Sequence, residues 1–122
     1  HNLKEESANY DYDSGYEAGK RMLALSNPPT AIFCTSDLIA IGVMDAARFE
    51  YKLRVPEDLS VIGYDDIQMA SWKSYNLTTI RQPLDLLIEK TINILKSLLN
   101  EENPESVVEM LKPELIERGS TL

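Results

Sequence analysis

The chain has 122 residues, 43% of them hydrophobic, with 12 basic against 20 acidic side chains and a net charge of −8. This composition excludes disorder, and the length supports one domain core that buries roughly two-thirds of the unfolded surface. The negative charge excludes a DNA-binding surface, because affinity for DNA depends on Lys and Arg neutralising phosphates. No basic cluster or helix-turn-helix pattern is present, no apolar run approaches a membrane span, and the opening His-Asn-Leu-Lys-Glu-Glu-Ser has no signal-peptide pattern.

Residues 1 to 10 are polar and weakly patterned. Asp11-Tyr12-Asp13-Ser14 then offers several N-caps, and Ser14 with Glu17 has capping-box spacing ahead of Met22, Leu23 and Leu25. A helix from about 13 to 25 follows, ended by Ser26-Asn27-Pro28-Pro29. Ala31 to Cys34 is a short apolar run suited to a buried strand, in which the lone Cys34 is a buried, inert thiol with no internal disulfide partner. Ser36 and Asp37 are cap-type residues, and Leu38, Ile41, Val43, Met44 and Ala47 recur behind them at helical spacing. This second helix, from about 37 to 51, is apolar on more than one face, so both sides need cover.

Leu59 to Gly63 is a second apolar run, closed by Tyr64, Asp65 and Asp66. Strand, helix, strand within about three dozen residues is a right-handed crossover of a parallel sheet, and open α/β sheets bind ligands at the carboxyl ends of such strands. Ile67 to Trp72 reads as a short helical or irregular stretch, and Leu77 to Ile80 as a brief strand. Leu84, Leu87, Ile88, Ile92, Leu95, Leu98 and Leu99 then mark the longest amphipathic helix, from Pro83 to Asn100, stopped by Glu101-Glu102-Asn103-Pro104. Val107 to Leu111 and Leu115 to Ile116 read as short terminal strands.

Several blocks carry a resemblance: Pro29-Thr30-Ala31-Ile32-Phe33; Ser36-Asp37 with Ala40 and Gly42; Val55-Pro56-Glu57-Asp58; and Val61-Ile62-Gly63-Tyr64-Asp65-Asp66. Leu77-Thr78-Thr79-Ile80 with Gln82-Pro83, and the ending Pro113-Glu114-Leu115-Ile116-Glu117-Arg118-Gly119-Ser120-Thr121, complete the set. In order and spacing the chain resembles the lactose-repressor/galactose-repressor (LacI/GalR) family of bacterial transcription regulators. Two connections depart from it: Lys52 stands where the family usually ends a helix with Gly, and Tyr75-Asn76 where a Pro usually precedes Leu-Thr-Thr.

The resemblance implies an α/β fold, a parallel sheet flanked by helices, forming the C-terminal lobe of a periplasmic-binding-protein-like (type I) effector domain. Residues of about 1–66 and 105–122 would form that lobe, and about 67–104 the crossover and a segment of the opposite lobe. A full member is about three times longer, so its DNA-binding part would lie outside this chain. The implied protein is a cytoplasmic homodimer without a cofactor. It binds a small-molecule effector, a sugar or related metabolite, between its two lobes.

A carboxylate at the first strand-to-helix junction can accept hydrogen bonds from a sugar hydroxyl or base nitrogen, and in the resembled family Asp37 contacts the effector; the plainer role is a helix cap beside Ser36. Asn9 aligns with a cleft-facing family position, or is a loop Asn bonding its own backbone. Asp65 and Asp66, adjacent on an extended chain, point to opposite faces, so one would fix the crossover turn and the other face the cleft. Trp72 either stacks on a sugar face or belongs to the core.

Met44, Asp45 and Arg48 are candidates for the dimer contact, the alternative being a neighbouring helix of the same chain. The apolar face of residues 77 to 100 is expected to find cover by self-association. No nucleophile elbow, phosphate loop, Cys/His arrangement or metal-ligand spacing supports catalysis or a metal. Two alternatives share the α/β pattern. One is an extracytoplasmic sugar-binding protein. The other is a phospho-accepting receiver domain, which would need an apolar strand before Asp11 and Asp13 that residues 1 to 10 do not supply.

Overall fold

Asp11 opens the first helix, α1 (Tyr12–Leu23): its carboxylate accepts from the Ser14 backbone N–H at 2.8 Å. Ser14 is therefore not the cap; its hydroxyl turns back to donate to the Asn9 carbonyl and accept from the Asn9 N–H. The computed structural model describes residues 4–100 and 108–122. The helix stop at 101–104 and Val107 lie outside the described residues.

Strand β1 (Ala31–Phe33) buries Ile32 and leaves its neighbours exposed, and helix α2 (Asp37–Glu50) follows, capped by the Ser36 hydroxyl. Strand β2 (Ser60–Tyr64) lies parallel to β1, with Ala31 opposite Ser60 and Phe33 opposite Ile62. A 3₁₀ turn at Gln68–Ser71 leads to β3 (Thr78–Arg81), parallel to β2 with Ile62 opposite Thr78. The expected strand at Val107 to Leu111 is not formed: residues 108–111 are irregular, and the final strand is β4 (Glu114–Ile116). The sheet order is β1-β2-β3-β4.

Two compact units result. The first contains residues up to Arg81 together with Leu115–Leu122; the second is Gln82–Glu114. The first unit runs on to Arg81, because β3 hydrogen-bonds to β2 and stays with its sheet. In the first unit the core joins Ile39, Ile41, Val43 and Met44 of α2 to Leu59, Val61 and Leu77, each large side chain contributing about 1.5–3 kcal/mol of apolar burial.

The outer face of α2 is covered by α1, whose approach depends on small residues. A Cβ on Gly15 would stand 2.6 Å from Ile39 Cα, and one on Gly42 would run into the backbone of Tyr12 and Tyr16. Near the other end of the sheet Ser120 is fully buried between two strands. Its hydroxyl donates to Val61 O at 2.6 Å and accepts from Thr78 N–H at 2.8 Å, while its carbonyl accepts from Val61 N–H.

The second unit holds α3 (Leu84–Leu99), none of whose residues is buried, and an ion pair between Lys90 and Glu109 at 3.0 Å.

Candidate functional site

The carboxyl ends of three parallel strands gather the polar residues singled out from the sequence. The β1 end gives Thr35, Ser36 and Asp37; the β2 end gives Asp65 and Asp66; and β3 ends in Arg81.

Asp37 does not present itself to a ligand. Its side chain is fully buried, one oxygen accepting from Thr79 Oγ1 at 2.5 Å and the other from the Ile67 N–H at 2.8 Å. The expected effector contact is corrected accordingly: Asp37 is a brace that ties the β1–α2 junction to β3 and to the segment after β2. Nor is it the cap, since Ser36 holds the α2 N-terminus. Burial pushes its carboxyl above the usual carboxylate range, while the hydrogen bonds from Thr79 and Ile67 pull it back. The room it occupies exists because residue 63 is glycine; a Cβ there would collide with Asp37 Oδ1.

The two adjacent aspartates take different roles. Asp66 is almost buried and receives two arginines: Arg118 Nη2 at 2.6 Å on one oxygen, and Arg81 Nη2 at 2.6 Å and Nε at 2.7 Å on the other. Burial alone would raise its carboxyl, but the hydrogen bonds and charges of Arg118 and Arg81 outweigh it and hold it below the usual range. Asp65 is exposed, with its backbone N–H donated to Ile80 O. Both have positive φ, 110° at Asp65 and 54° at Asp66, which marks a forced turn at the end of β2.

Trp72 is 49% exposed at the end of the 3₁₀ turn, so it is not a core aromatic. The Asn9 residue is exposed, its backbone tied to Ser14. Cys34 is buried, its thiol pushed up to about 12 first by burial and then by the Asp37 charge, as an inert thiol should be.

The proposed dimer residues turn inward. Met44 is fully buried in the core. Asp45 is nearly so, accepting from the hydroxyls of Tyr12 at 3.1 Å and Tyr75 at 3.2 Å; Tyr12 is pushed up to about 12 by burial and by the Asp45 charge. Arg48 donates to Ser74 O at 2.7 Å. All three make intrachain contacts, the alternative the sequence left open, because α1 and the turn at 72–76 cover much of this face.

Sequence reasoning missed Thr79, Gly63, Arg81 and Arg118 as members of this constellation. Thr79 and Arg118 lay inside blocks used for the resemblance, but only folding shows what they touch. Among the described residues every buried side-chain N or O atom has a hydrogen-bond partner, and no group of three His, Cys, Asp or Glu could hold a metal. The buried floor is already satisfied, and the polar residues exposed at the strand ends are Asp65 and Thr35.

The sequence model of the periplasmic binding protein-like domain matches residues 1–121. The chain belongs to the periplasmic binding protein-like domain family. Within it, the HTH-type transcriptional repressor PurR of Salmonella paratyphi B is 42% identical over 111 residues, covering 91% of this chain and 32% of that protein. The lac repressor dimer, solved bound to operator and an anti-inducer, superposes with a TM-score of 0.83 at 33% identity, covering 94% of this chain and 40% of its own. The regulator CelR in complex with cellobiose gives 0.85 at 31%, covering 93% and 34%. The chain thus corresponds to C-terminal effector-domain sequence of the LacI/GalR type, and spans about a third of the length of the curated relatives it matches.

Proposed function

We propose that this periplasmic binding protein-like chain forms one wall of an effector pocket in a transcriptional regulator whose DNA binding responds to a small metabolite of the carbohydrate class. One observation carries the reading. Three parallel strands end side by side on a floor fixed by Asp37, Thr79 and Ile67, and Thr35 and Asp65 are exposed residues at the same strand ends. Exposed hydroxyls and carboxylates are what polyhydroxylated ligands hydrogen-bond to, and Trp72 adds a flat apolar face of the kind sugars stack on. Solved relatives hold cellobiose and lactose.

The effector would prefer one arrangement of the whole effector domain, and the resulting population shift would alter the spacing of two DNA-binding heads across a homodimer in the cytoplasm. With Met44 and Asp45 buried, the dimer contact would involve the exposed aromatics Tyr12 of α1 and Phe49 at the end of α2, with the half-buried Tyr16 between them. A protein acting by this mechanism is not an enzyme. That the curated relatives are repressors favours a regulator over an extracytoplasmic binding protein.

Calorimetry tests the reading directly. The 122-residue chain should bind cellobiose or lactose weakly or not at all, and micromolar affinity would overturn the shared-pocket reading. Sequencing the DNA upstream should reveal a helix-turn-helix encoded in phase, and its absence would remove the regulator.

A further inference from the structure

Asp66 is bonded to the side chains at both places where the chain crosses between its two compact units. Arg81 is the last residue of β3, and Gln82, the next residue, begins the second unit. The chain re-enters the first unit at Leu115, three residues before Arg118. Both arginines meet on one carboxylate, each at 2.6 Å, although 52 residues separate Arg118 from Asp66 in sequence.

The two arms differ in burial. Arg118 is immobilised three more times: its Nη1 donates to Leu77 O at 2.7 Å, its backbone N–H donates to Thr78 Oγ1 at 2.9 Å, and most of its side chain is buried. Arg81 is half exposed. Asp66 itself sits in a left-handed conformation directly after another, which L-residues adopt only when their surroundings over-determine it. A turn in this conformation could equally carry asparagine or glycine, so local geometry alone does not call for a carboxylate.

We propose that Asp66 is a positioning residue whose clamp on Arg81 and Arg118 holds together, within the sheet-bearing unit, the two points at which the chain leaves and re-enters it. As a regulatory device this clamp rests on the effector-sensing reading given above: a tighter clamp raises the cost of moving the chain at these two points, and a looser one lowers it. As a mechanical device it rests on this geometry alone. Its test therefore uses no effector, so its failure is separate from failure of the functional reading.

The test is amide hydrogen exchange of the 122-residue chain with Asp66→Asn, Asp66→Gly and Arg81→Gln. With Asp66→Asn, exchange at Gln82, Leu84, Leu115 and Ile116 should rise about tenfold, while amides of α2 and β2 stay within about twofold. Asp66→Gly should give the same pattern although it relaxes the backbone, because the charge and not the turn does the positioning. Arg81→Gln, at a half-exposed site that does not threaten folding, should speed exchange at Gln82 and Leu84 more than at Leu115 and Ile116. Unchanged exchange at the crossings, uniform acceleration that includes α2, or a normal pattern in Asp66→Gly would each overturn the clamp.

Discussion

Helices α2 and α3 are both long and apolar, yet ten of the fourteen residues of α2 are buried and none of the sixteen in α3. The difference lies only partly in their own patterns, α2 being apolar on more than one face and α3 amphipathic. The rest lies in what stands opposite: α2 faces a sheet on one side and, on the other, an α1 that comes close through Gly15 and Gly42, whereas Leu84, Ile88, Ile92 and Leu95 of α3 remain more than two-fifths exposed. Apolar periodicity states that a face needs cover and is silent on where the cover comes from.

The strongest way to break the comparison is to push α1 off α2. Gly42→Val places a side chain against the backbone of Tyr12 and Tyr16 and should cost about 3 kcal/mol or more in urea unfolding. A loss below about 1 kcal/mol would mean that α1 is not the cover.

Next comes the brace beneath the strand ends. Asp37→Ala strands the Thr79 hydroxyl and the Ile67 N–H and should cost about 2 kcal/mol. Its pH dependence has a definite sign. A raised carboxyl binds its proton more tightly when folded, so the Asp37 contribution is fully present below 3.8 and is lost as pH rises through its folded value. Asp66 runs the other way: lowered when folded, it stabilises above 3.8 and fails as pH falls through its folded value. Unfolding curves of Asp37→Asn should flatten the first trend and those of Asp66→Asn the second.

A smaller gain is available where α2 ends. Lys52 has φ 56°, the left-handed position that the resemblance assigns to glycine, and Lys52→Gly should raise stability by about 0.5–1 kcal/mol in the same assay. Smallest of all is the stability effect of Leu95→Glu on α3, within about 0.5 kcal/mol because the side chain is already 53% exposed. Its effect should appear instead in sedimentation velocity, as reduced self-association; an unchanged profile would show that this face recruits no second copy.

The crossover unit was legible because its signals are local: an apolar run, a cap pair, a helical repeat and a second run, all within one stretch of chain. Ser36 as a cap could be foreseen on the same ground. Asp37 could not be placed, since its burial is decided by Thr79, forty-two residues onward, and by the missing side chain at Gly63. For Met44, Asp45 and Arg48 the sequence left a dimer contact and an intrachain neighbour both open, for a related reason. Nothing in α2 announces that Tyr12, Tyr75 and the Ser74 carbonyl will close over it. Residues 108–111 alternate weakly enough to suggest a strand, yet only Glu114–Ile116 takes a place in the sheet.

Ser120 carries a consequence for biosynthesis. Two neighbouring strands, β2 and β3, each leave a backbone group to be met by this one residue, encoded 59 positions after Val61 and 42 after Thr78. On a ribosome, which releases the polypeptide from its amino end, those strands must wait with that seam unsealed until translation has passed Ser120 and the tunnel has let it go. Stalling the message a few codons earlier should leave a nascent product that proteases cut, and releasing it should make the same product resistant.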